Sequence, residues 1–199
     1  MNKRLIWLGV GALVLLAAVL GWQRFNAPPA GNLAGSSLGG KFALINQAGK
    51  PVTEADFAGQ YRLMYFGYTF CPDICPNDVG VIARGLVDFE KAQPDRGARV
   101  TPIFITVDPE RDDVAAMQAF TSAFHPRLAG LTGTPAAIDA ARKTFGIYAR
   151  KVATSDPANY IVDHFAIIYL FGPDGAPIAF LPHGSTVADI TAMLETHVR

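Results

Sequence analysis

The stretch "YRLMYFGYTFCPDICP", Tyr61 to Pro76, decides the architecture. Its first half is a nearly continuous apolar run with aromatic side chains on both faces, the pattern of a central strand covered on both sides. Its second half holds the only two cysteines of the chain, Cys71 and Cys75, separated by three residues and bracketed by prolines. The segment that follows, "NDVGVIARGLVDFEKA", repeats Val79, Ile82, Leu86 and Phe89 at helical spacing. The cysteines are thus predicted at the carboxyl end of a central strand and the start of a helix, where α/β sheets place their sites.

Working outward, "KFALINQAGKPV" reads as a hairpin turning at Ala-Gly-Lys, and "TEAD", Thr53 to Asp56, as a capping box. "RVTPIFITVDP" is a second buried strand, with Asp108 and Pro109 expected to cap and open the helix "ERDDVAAMQAFTSAF". Thr134 and Pro135 repeat that device before "AAIDAARKTFGI". "HFAIIYLFGPDGAPIAFL" is a second hairpin, and Thr186 with Asp189 opens a terminal helix. Strands and helices in this order predict an α/β sandwich on a mixed central sheet.

At the amino terminus, Lys3 and Arg4 precede an uncharged run from Leu5 to Gln23, long enough on the sequence to cross about 30 Å of hydrocarbon. The reading is a transmembrane anchor over 1–24 with its charged end inside, a cleaved signal segment being the alternative. A Pro-, Gly- and Ser-rich spacer is expected over 25–40, and one exported domain over 41–199. Lys plus Arg and Asp plus Glu are equal at 17 each, so nothing points to a nucleic-acid partner.

A disulfide between Cys71 and Cys75 would close too short a loop to remove much unfolded-state entropy. A redox couple or part of a metal site explains the pair better. A thiolate near a helix start is favoured in both cases, as nucleophile and as soft-metal ligand, so a third partner has to discriminate. Among the four histidines, His125 lies in a loop and His197 in the last helical turn, both ordinary placements, while His183 stands at a strand-to-helix junction. His164 differs: with Asp163 it opens the apolar run "FAIIYLF", where an ionisable side chain is expensive unless solvated or used. Two thiolates and one imidazole suit Cu(I), and Cu(II) when a further ligand joins; zinc would ordinarily find a fourth protein ligand in a structural site.

The motifs "GYTFCPDICP", "VDPERD" and "DHFAIIYLFGPDG" together resemble the Sco/SenC family of copper-binding assembly factors for cytochrome c oxidase, membrane-anchored proteins with a thioredoxin-like domain. The resemblance implies a thioredoxin-like α/β fold, with CxxxC in place of CxxC and no proline beside Asp163 and His164. It implies one copper ion per domain, held by Cys71, Cys75 and His164. Asp73 and Asp163 match motif aspartates and are candidates for orienting the ligands or docking a partner, and Asp108 joins them as a docking candidate. It further implies delivery of copper to, or thiol reduction at, the dinuclear copper centre of oxidase subunit II or another copper-receiving protein. A periplasmic copper donor or thiol reductase would complete the partners. The location implied is a bacterial inner membrane, spanned once, with the amino terminus cytoplasmic and the domain periplasmic. Such a protein transfers metal and turns nothing over. The alternative is an exported thiol-disulfide oxidoreductase or thiol peroxidase with Cys71 attacking and Cys75 resolving.

Overall fold

The computed structural model describes residues 3–25, 30–154 and 159–199, with side chains of the first helix described at positions 7–19. The elements are α1 (Lys3–Phe25), β1 (Gly31–Asn32), β2 (Ala43–Asn46), β3 (Pro51–Thr53), a 3₁₀ turn (Glu54–Phe57), β4 (Tyr61–Gly67), α2 (Ile74–Ala92) and α3 (Pro94–Gly97). They continue with β5 (Val100–Thr106), α4 (Val114–Thr121), β6 (Ala129–Thr132), α5 (Pro135–Thr144), β7 (Ala149–Val152), β8 (Ile161–His164), β9 (Ile167–Phe171), β10 (Pro177–Pro182) and α6 (Val187–His197). The main sheet has the order β1-β10-β9-β4-β5-β6-β2-β3, and β7 with β8 forms a separate two-stranded sheet. β4 pairs in parallel with β5 and antiparallel with β9, so the sheet is mixed and β4 is central. This is the mixed α/β sheet expected from the order of strands and helices, with the central strand read from the apolar run, and it is the thioredoxin-like arrangement the resemblance implies.

Every residue of β4 is buried because both of its faces are covered. Successive side chains alternate across a strand. Tyr65 accordingly reaches Asp78 on α2, while Phe66 packs on Phe145 at the end of α5. Each such buried aromatic contributes about 1.5–3 kcal/mol relative to an exposed one. Val79, Ile82, Leu86 and Phe89 form the buried face of α2, as their spacing predicted. Within the stretch read as a spacer, Gly31 and Asn32 pair with Phe180 and Ala179 of β10.

The predicted transmembrane anchor is corrected. Among the described residues no helix is long and apolar enough to cross a membrane. The single-pass placement in a bacterial inner membrane, which rested on that anchor, is corrected with it.

Three local expectations also change. α2 begins at Ile74 with Asp73 as its N-cap residue, so Pro72 precedes the helix rather than opening it. α4 begins at Val114, capped by Asp113, whose side chain accepts from the Ala116 N–H at 2.8 Å. Asp108 does not cap because its carboxylate is engaged by Arg111 and Tyr160. His164 ends β8 in the small sheet rather than opening β9. The capping box at Thr186 and the cap at Thr134 form as read.

Candidate metal centre

β4 delivers the chain to the site, and the turn after it bends back so that the Cys71 N–H donates to the Tyr68 carbonyl at 3.2 Å. Cys71 is half-buried in this turn, whereas Cys75, in the first turn of α2, is fully buried. The Cys75 N–H donates to Cys71 Sγ at 3.3 Å. An early helical amide has no partner inside its helix, and here the first sulfur supplies one. Both thiols are free. Gly67 closes β4 because a Cβ there would lie 3.0 Å from Cys75 Sγ and 2.9 Å from the rings of Tyr65 and Phe104.

The third candidate arrives from far along the chain. His164 Nε2 lies 3.5 Å from Cys75 Sγ, and the imidazole meets the Tyr68 ring edge-on at 5.9 Å between centroids. Two donors on one soft metal, with bonds of about 2.3 Å to sulfur and 2.0 Å to nitrogen, stand roughly 3.3–3.8 Å apart. The sulfur-to-imidazole spacing falls inside that range. Among the described residues, no group of three or more His, Cys, Asp or Glu side chains is gathered as a metal cage. The donors meet as two pairs, Cys71 with Cys75 and Cys75 with His164.

The electrostatics divide the thiols. Cys71 is pulled down to about 5, first by the hydrogen bond from the Cys75 thiol, then by the backbone N–H groups of Cys75 and Asp73 and by His164, against a smaller opposing effect of burial. Cys75 is pushed up by the same sulfur-to-sulfur hydrogen bond and by burial. One proton is thus shared unequally, with the outer sulfur as thiolate and the inner as thiol. Burial also lowers the His164 pKa, only partly countered by the Phe165 backbone and nearby charges. The imidazole is therefore neutral near pH 7, with a lone pair available to a metal. Its Nδ1 is buried without a hydrogen-bond partner among the described residues.

Asp163 does not orient that ring. Its side chain is 58% exposed and pairs at 4.0 Å with Arg150 across the β7–β8 hairpin. Asp73 stands exposed at the N-cap position of α2 without capping it; its side chain instead accepts from Asn77 Nδ2 at 2.6 Å. Asp108 is fully buried beneath the hairpin; Arg111 Nε donates to it at 2.5 Å and the Tyr160 hydroxyl at 2.7 Å. The Arg111 guanidinium stacks 3.6 Å over the Tyr160 ring and 5.0 Å from Phe70 in the cysteine turn. The "VDPERD" motif thereby joins the approach to the histidine strand to the cysteine turn.

Asp112 was missed in the sequence. Fully buried, it accepts from the Thr69 N–H at 2.9 Å, the Thr69 hydroxyl at 2.6 Å and the Thr106 hydroxyl at 2.6 Å, fixing the turn two residues before Cys71. Only its place in an Asp-rich run after a buried strand hinted at this. His183 contacts Asp78 at 3.0 Å, and Asp78 accepts from the Tyr65 hydroxyl at 3.0 Å, so His183 stands behind the pair rather than on it. His125 lies against Glu90, and His197 is in the last turn of α6.

A family model described as SCO1/SenC matches residues 30–199. The mouse Protein SCO2 homolog, mitochondrial, is 42% identical over 159 residues, covering 80% of this chain and 62% of the mouse protein. The chain thus spans less than two thirds of that relative's length. The crystal structure of Arabidopsis thaliana ScoI with copper bound is 35% identical and superposes with a TM-score of 0.74 over 79% of this chain and 96% of the plant chain. Bradyrhizobium japonicum ScoI with copper bound is 39% identical, with a TM-score of 0.72 over 81% of this chain and 99% of the other.

Proposed function

The chain belongs to the SCO1/SenC family, and from that premise we propose that it is a copper-transfer protein, loaded through Cys71, Cys75 and His164. The observation that carries this reading is the 3.5 Å approach of the His164 imidazole to a cysteine pair whose outer sulfur is held as thiolate. Two soft sulfurs and a neutral imidazole match Cu(I), and the missing fourth donor leaves the ion open to exchange. Copper is cargo here, one ion in the domain. The copper-bound plant and bacterial relatives support that cargo. The recipient we propose is the dinuclear copper centre of cytochrome c oxidase subunit II, with a separate copper donor or thiol reductase upstream.

Asp108 and Asp73 serve this role indirectly, the first by bracing the hairpin approach through Tyr160 and the second by holding Asn77 in the first turn of the helix that carries Cys75. Anaerobic Cu(I) titration of the reduced protein tests the reading. One equivalent should bind tightly, and loss of either cysteine should abolish that binding. Unchanged affinity in Cys71→Ser would overturn it.

A second reading, thiol-disulfide exchange, is favoured by one observation, the opposite displacement of the two thiol pKa values. A low-pKa attacking thiolate beside a protonated resolving thiol is the asymmetry such chemistry uses. Turnover with a dithiol reductant in the strict absence of metal, unaffected by His164→Ala, would favour it over copper transfer.

A further inference from the structure

Arg62 occupies the other end of β4 from the cysteines. It is the second residue of the strand, and at about 3.3 Å per residue it lies roughly 16 Å from Gly67, where the cysteine turn begins. Its side chain is 95% buried, since 5% of the residue is exposed. Among the described residues none lies within ion-pair or hydrogen-bond distance of its guanidinium, and its Nε is sealed from solvent with no acceptor. Burial depresses its pKa, opposed by the charges of Asp174 and Glu54. The face of the guanidinium rests 5.8 Å from the Phe171 ring. Gly175, at φ +86°, passes over it so closely that a Cβ would stand 2.5 Å from Nη2.

A buried cation without a partner is costly, and arginines at such depth are ordinarily paired. This one lines an open cavity of roughly 240 Å³ together with Lys41, Glu54, Pro173, Asp174 and Gly175. The two acids of the cavity are each held by the backbone. Glu54 accepts from the Phe42 N–H at 3.1 Å, and Asp174 from the Ala176 N–H at 2.9 Å. Neither turns onto the guanidinium, which is left aimed at space that a small anion fits.

We propose that this cavity is a carboxylate-binding site, in which the Arg62 guanidinium receives one carboxylate group and Lys41, which also lines the cavity, adds a second positive charge. The planar fork of arginine matches the two oxygens of a carboxylate. Charge selects the class of ligand. Two cationic and two anionic side chains line the cavity, so a monoanion completes the pairing of Arg62 while a dianion such as phosphate meets uncompensated repulsion from Glu54 and Asp174. The carboxylate comes either from a free small acid or from the terminus of a peptide. The site is independent of the copper reading, because it shares no residue with the cysteine and histidine cluster.

The test is a titration of the full-length reduced protein, labelled with ¹⁵N, following the Arg62 Nε–H resonance. The probes are acetate, acetamide, inorganic phosphate, and a short peptide in free-acid and amidated forms, all at constant ionic strength. The expected result is a saturable shift with acetate or with the free-acid peptide, and none with acetamide or the amidated peptide. A response to the peptide acid alone assigns the source to a chain terminus, and a response to both assigns it to carboxylates in general. Glu54→Gln, which keeps an acceptor for Phe42, should tighten binding about two- to fivefold, and Lys41→Gln should weaken it by a similar factor. Copper affinity should be unchanged in both variants. The absence of a saturable shift with either carboxylate source overturns the proposal. So does tighter binding of phosphate than of acetate, or an affinity insensitive to both substitutions.

Discussion

His164 Nε2 and Cys75 Sγ stand 3.5 Å apart although 89 positions separate them in the chain. One lies at the end of a strand in the small sheet and the other in the first turn of α2, so their approach is a property of the tertiary fold. Removing the imidazole leaves both sulfurs in place. His164→Ala is expected to weaken Cu(II) binding by more than about 100-fold, beyond what loss of a group behind a ligand ordinarily costs. Cu(I) binding should fall less, because two thiolates still hold it. Competition titrations in both oxidation states measure the difference, and equal losses would remove His164 from the site.

The unequal sharing of a proton between the sulfurs has a signature in reactivity. In reduced, metal-free protein Cys71 should alkylate as a thiolate with a midpoint near pH 5, while Cys75 stays protected to high pH. Cys75→Ala deletes the leading cause of the depression and should raise that midpoint toward the ordinary thiol range. Iodoacetamide rates across pH 4–9 check this, the range in which a thiol of pKa about 5 and one of about 8.5 differ most.

The same shift fixes a pH dependence of stability. Folding lowers the Cys71 pKa from its ordinary 9.0 to about 5, so between these values the unfolded chain carries a proton that the folded one has lost. The Cys71 contribution is complete above pH 9.0 and disappears as pH falls through about 5. Denaturant melts of wild type and Cys71→Ala should therefore diverge as pH rises through this window, and parallel curves would contradict the depressed value.

Asp112 ties the cysteine turn to β5. Asp112→Ala leaves the Thr69 N–H and the Thr69 and Thr106 hydroxyls without their acceptor, at an expected cost of about 3 kcal/mol or more. Copper affinity should fall as well, since the turn that sets Cys71 is released. Urea unfolding and Cu(I) competition on the same preparation report both, and a stability loss without any change in affinity would confine Asp112 to the fold.

Tyr160→Phe keeps the ring under Arg111 and deletes the hydrogen bond to Asp108. The expected loss is about 1 kcal/mol of stability, with copper affinity lowered up to about tenfold through looser support of the histidine strand. Unchanged affinity would mean that the Asp108–Tyr160 contact does not reach the site.

The central strand, the buried face of α2 and the caps at Thr134 and Thr186 were legible because each is a local pattern whose period or spacing names the element. β6 was not read, since Ala129–Thr132 is too short to show alternation before the Thr134 cap. The start of α4 was displaced for a different reason. Asp108-Pro109 carries a sound cap signal, but the Asp108 carboxylate is claimed by Arg111 and by Tyr160, 52 positions away. Cys71 and Cys75 announced themselves as the only cysteines, and His164 as a polar residue at an apolar edge. Asp112 and the pairing of His183 with Asp78 stayed hidden because both depend on side-chain contacts between segments distant in sequence.

The two-stranded sheet of β7 and β8 stands apart from the eight-stranded one, and it carries the imidazole while the central sheet and α2 carry the sulfurs. The proposed donors therefore arrive on two parts of the fold, which meet through His164 against Cys75 and Tyr68 and through Tyr160 against Asp108 and Arg111. A displacement of the hairpin would withdraw the imidazole, while the sulfur pair rests on β4 and α2. If Cys71, Cys75 and His164 hold copper as proposed, that coordination would come apart one bond at a time, and an incoming ligand would take the place just vacated.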